Sequence, residues 1–98
     1  MPDEIALHRA TARAQQAKVL LDDPLLKEAF ATLERSYIDE WRSTDPADMD
    51  GRERLFLAVN QVERVKSNLA AVISDGTLAA KELERLYAEQ DRKKKLGI

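Results

Sequence analysis

From Leu26 to Trp41 the chain places Leu26, Phe30, Leu33, Tyr37 and Trp41 at steps of four, three, four and four residues. That spacing keeps one apolar face on a helix. A second run, Leu55, Ala58, Val62, Val65, Leu69 and Val72, alternates threes and fours and is widened by Phe56, Val59 and Ile73. The spacing predicts helices over about 24–42 and 52–74, with the later one carrying the widest apolar face. Leu33 and Val62 stand mid-stripe and are the expected core positions.

The outer segments are thinner. Over about 3–21, Ile5, Ala12 and Val19 recur every seven residues, while Ala10, Ala14, Ala17 and Leu21 form a second, narrow face of small residues. Such a helix can approach a neighbour closely but buries little area by itself. Over about 78–94, Leu83 with Leu86 or Tyr87 points inward before the pattern fades into charge.

Punctuation divides these runs. Asp22-Asp23-Pro24 pushes the pre-proline residue out of the α region and leaves proline at a first helical position, so Asp23 is the expected cap. STDPADMDG, from Ser43 to Gly51, reads as a loop plus the cap of the next helix. Asp75-Gly76 reads as a left-handed helix exit and Thr77 as the cap of a fourth helix. The fold expected is all-α: a single helical domain over 1–98, in which the second and third helices form an antiparallel hairpin extended to a small three- or four-helix bundle. Residues 92–98 form a basic C-terminal tail.

Composition supports this picture. Charged residues are 35% of the 98, aromatics only 5%, and glycine and proline number three each, which favours helix over sheet. Sixteen Lys and Arg against eighteen Asp and Glu give a net charge of −2, so any nucleic-acid or lipid site must be local. No run approaches the ~20 apolar residues of a membrane span, and MPDEIALHRATARA lacks a continuous apolar stretch, so a cytoplasmic protein without a secretory signal is expected. Cysteine is absent, which removes thiolate chemistry and cysteine-ligated metals.

Asp45, Asp48 and Asp50 before Gly51 imitate the start of a calcium loop. Counted back from Gly51, however, the first ligand position falls on Pro46 and the bidentate glutamate position on Leu57, so helix capping is the better account. His8, the single histidine, stands four residues after Glu4, as expected of a surface ion pair. Asp22-Asp23 and Asp39-Glu40 are adjacent pairs, about 100° apart on a helix, and do not converge on one atom. With no phosphate loop, nucleophile elbow or two-histidine motif, no catalytic residue, metal site or cofactor is expected.

What remains is interaction. Trp41, Phe56 and Tyr87 are the candidate protein interface, since aromatic residues supply contact area at interface centres. Arg92, Lys93, Lys94 and Lys95 are the candidate nucleic-acid contact, set against the alternative of a solvated helix end with Glu89 and Asp91 four residues ahead of Lys93 and Lys95. Because alanine stands on the first helix where a self-sufficient bundle would carry leucine, a homo-oligomer is expected, a symmetric dimer first.

The blocks LLDDPLLKEAF, LERSYIDEWRSTD, DGRERLFLAV and SDGTLA, between Leu20 and Ala79, resemble small helical proteins of unassigned chemistry encoded by tailed bacteriophages and prophages of proteobacteria. The resemblance implies a non-enzymatic accessory of virion assembly or a binder of a host protein, acting in the host cytoplasm or the virion. The partners expected are the chain itself and a phage or host protein. A DNA-packaging-like accessory using the basic tail is the alternative, and no membrane is involved.

Overall fold

The structure, a computed structural model, describes residues 3–97. It is all-helical, with α1 spanning Glu4–Asp22, α2 Pro24–Ser43 and α3 Met49–Lys95. Asp3 opens α1, its carboxylate accepting from the Ile5 amide at 3.0 Å. Asp23 alone separates α1 from α2. Extended at φ −65°, ψ 121°, it caps α2 by accepting from the Leu26 amide at 2.9 Å, with Pro24 in the first turn. Both roles follow from an Asp-Pro pair, whose short acceptor reaches the free amides and whose ring has no amide to satisfy.

The loop between α2 and α3 is closed by its own polar side chains. Thr44 ends α2, its amide and its hydroxyl both donating to the Trp41 carbonyl. The Asp45 carboxylate accepts from the Ala47 amide at 2.9 Å, and that of Asp48 accepts from the Gly51 amide at 3.0 Å. Asp45 and Asp48 are thus occupied in turn and cap hydrogen bonds, as the capping account expects, and α3 begins at Met49, three residues earlier than the apolar pattern indicates.

The expected helix break at Asp75-Gly76 does not occur: α3 runs through both residues, and there is no separate fourth helix among the described residues. Thr77 caps nothing; its hydroxyl donates back to the Ile73 carbonyl at 3.1 Å, inside the helix. The reason for the glycine is contact. A Cβ at Gly76 would fall on the Cβ of Ala14 and lie 3.0 Å from the Ala10 carbonyl oxygen. Gly76 therefore lets the small-residue face of α1 sit directly on the α3 backbone, a close-approach use of glycine. The glycine that does end a helix is Gly97, at φ 73°, whose amide donates to the Lys94 carbonyl at 3.1 Å.

The chain forms two compact units. In one, α1 up to Lys18 packs against α3 from Ala70 onward, burying Ala14, Ala17, Gly76, Ala79 and Leu83. The buried side of α1 is the Ala10, Ala14, Ala17 face; the alternative stripe points to solvent, Ile5 and Val19 being about 70% exposed. The other unit, Val19–Leu69, joins α2 to the first part of α3. Here Val62 is buried as expected, but it is the only buried hydrophobic residue of that unit, and α2 buries none. Leu33, the other expected core position, is 43% exposed. No described helix is long and apolar enough to cross a membrane.

Candidate functional site

An open apolar cleft lies in the Val19–Leu69 unit, lined by Ile38 and Trp41 of α2 and Leu55, Phe56 and Val59 of α3. It holds about 180 Å³, room for an aromatic side chain. Its position follows from helix phase. Ile38 and Trp41 lie three residues apart, on one side of α2, and Phe56 lies a turn from Arg52 and Val59, on the side of α3 toward α2. The Arg52 guanidinium stacks over the Trp41 ring at 4.4 Å and donates to the Thr44 hydroxyl at 3.4 Å. This cation–π contact holds the indole at the cleft edge.

Two of the three expected interface aromatics are thus brought together, Trp41 at 41% and Phe56 at 60% exposure. Tyr87 is not among them: it belongs to the α1–α3 unit, where its hydroxyl lies 2.8 Å from His8 Nε2. His8 therefore bonds Tyr87, and no ion pair joins it to Glu4 among the described residues. Burial and then the nearby Glu4 carboxylate push the Tyr87 phenol above its ordinary value. Nothing in the spacing of Glu4 and His8 pointed to a partner 79 positions away. Ile38 is the cleft residue sequence reasoning missed; three residues before Trp41, it extends the aromatic stripe sideways.

The cleft's polar neighbour is an ion pair between helices. Lys66 Nζ lies 3.0 Å from Glu34 and 3.4 Å from Glu63. The hydrogen bond from Lys66 holds the Glu34 carboxyl below its ordinary 4.5, and the same bond raises Lys66 above 10.5. Glu34 therefore adds stability above pH 4.5 that is lost as pH falls through its lowered pKa. Lys66 adds stability below 10.5 that is lost as pH rises through its raised one. Glu34→Gln should lower the urea midpoint near neutrality, with the gap to wild type closing in acid. A gap of constant size down to low pH would show that the pair is not its source.

Arg92, Lys93, Lys94 and Lys95 occupy the last turn of α3, all exposed, and none forms an ion pair among the described residues. Glu89, expected to support Lys93, instead bonds Arg85 at 3.3 Å, as Glu82 does at 2.7 Å. Glu82 is held low by that arginine. Among the described residues no group of three His, Asp or Glu is placed to hold a metal ion. No family model, curated protein or solved structure matches the chain.

Proposed function

We propose that this chain is a non-enzymatic helical interaction protein that self-associates through the α2–α3 hairpin and, in the phage or prophage setting implied by the blocks between Leu20 and Ala79, serves virion assembly or binds a host protein. The observation that carries this reading is the open cleft of Ile38, Trp41, Leu55, Phe56 and Val59 in a unit with one buried hydrophobic residue. Apolar surface of this kind gains free energy when a second surface covers it, at ~25 cal/mol per Å² before association costs. Light scattering coupled to gel filtration tests it: wild type should exceed 11.1 kDa at micromolar concentration, and Phe56→Glu should return that mass. Trp41, the only tryptophan, should shift its emission to the blue as the protein concentrates. A wild-type mass of 11.1 kDa throughout would sink the proposal.

The second reading is nucleic-acid contact by the exposed cations of Arg92–Lys95, which form no ion pair among the described residues. Four charges on successive helical residues fan out by about 100° each and line no single track, so this reading ranks below the cleft. If DNA binds, removal of residues 92–98 should abolish most affinity and flatten its salt dependence. Unchanged affinity and slope would refute it.

A further inference from the structure

We propose that the cleft face is a two-fold self-interface in which α2 of one copy lies along α3 of the other, its register set by Arg35 and Arg42 meeting Glu63 and Glu53 of the second copy. This rests on the reading of the cleft as a protein-binding surface and specifies its occupant.

Trp41 pairs with Arg52 and Glu34 with Lys66, so residue numbers rise along α2 as they fall along α3, and Ile38 stands level with the turn of α3 from Phe56 to Val59, which lines the same cleft. Arg35 and Arg42 flank Ile38 at three residues before and four after, on the same stripe. Glu53 and Glu63 flank Phe56 at three before and seven after. All four are exposed. Beside the cleft, α2 therefore offers this basic pair and α3 this acidic pair, while the Arg52 guanidinium of α3 is already held on Trp41.

Only two rotations lay this face on a second copy of itself. With the axis parallel to the helices, α2 covers the other copy's α3 and levels are preserved. Arg42 then meets Glu53, Ile38 meets Phe56, and Arg35 meets Glu63, each within about one turn. With the axis across the helices, α2 covers α2 and levels are inverted, which sets Arg35 against Arg42 and Glu53 against Glu63. Like charges opposed across an interface suppress that docking, while opposite charges fix register. The face is thus self-complementary in one orientation. A second copy also supplies what the unit lacks, because Phe56, 60% exposed, is both a wall of the cleft and a ring able to enter the other copy's cleft.

The test is a charge swap. One chain carries Glu53→Arg and Glu63→Arg, and a second carries Arg35→Glu and Arg42→Glu. Each alone should run at 11.1 kDa, its self-association weakened about a hundredfold, and the two mixed should form a species of twice that mass. A chain with all four changes should dimerise unaided, which controls for folding along with unchanged far-ultraviolet circular dichroism. The proposal is overturned if either two-site variant stays dimeric, if the mixture fails to associate, or if wild type is a monomer. Phe56→Glu run alongside separates the failures. If it dissociates while the charge variants stay dimeric, the cleft reading stands and the register falls; if it too stays dimeric, the cleft reading falls with it.

Discussion

Gly76→Leu should destabilise the α1–α3 unit by about 3 kcal/mol, although the same change in an exposed helix interior would stabilise by roughly 0.8 kcal/mol. The sign is set by Ala14. Any side chain at position 76 enters the space held by the Ala14 Cβ and lies 3.0 Å from the Ala10 carbonyl oxygen, so the helices must separate. Gly76→Ala should cost about 1 to 2 kcal/mol, the overpacking exceeding the gain in helix propensity. Ala14→Gly should relieve it, giving a coupling of about 1 to 2 kcal/mol in a double-mutant cycle measured by urea unfolding. A glycine serving a turn would show no such coupling. Gly76→Ala stabilising by about 1 kcal/mol, as for a solvent-facing helical glycine, would show that α1 does not sit there.

The second large effect is Leu83→Ala, expected to cost about 2 to 4 kcal/mol, against less than about 1 kcal/mol for Leu33→Ala. Leu83 is 6% exposed and Leu33 43% exposed, so truncation opens a cavity at the first position and little more than trims surface at the second. Val62→Ala, at 8% exposure, should fall between them because valine loses fewer atoms. Urea melts with matched slopes measure the three. Equal losses at Leu33 and Leu83 would place the buried face elsewhere.

Most of the helical content was legible from local signals. Asp23-Pro24 marks the start of α2 because capping and proline geometry act within a turn, and the polar Thr44–Asp48 loop closes on its own side chains. The small-residue face of α1 was legible too, and Ala14 and Ala17 are the residues it buries. The continuity of α3 carried a signal that the glycine obscured. Leu55, Val62, Leu69, Gly76 and Leu83 follow one another at seven residues, a repeat that crosses Asp75-Gly76 without the phase change a new helix would bring.

For the site, the aromatic stripe located Trp41 and Phe56, but periodicity could not say how much of each stays exposed, nor that Ile38 completes the cleft. Exposure is decided by the width of whatever packs opposite. Leu33 and Val62 have equally regular spacing and end with different burial. The pairing of His8 with Tyr87 lies likewise beyond any local pattern.

The sequence alone thus determined that the chain is helical, where α1 and α2 begin and end, and that Asp48 caps α3, because these depend on hydrogen bonds and backbone preferences spanning a few residues. Tertiary structure decided that Gly76 is a contact and not a turn, which apolar residues form the core, and that Trp41 and Phe56 share one cleft while Tyr87 bonds His8. A glycine, a leucine or a tyrosine carries no local sign of its neighbour, and only the second helix laid against it sets what each one does.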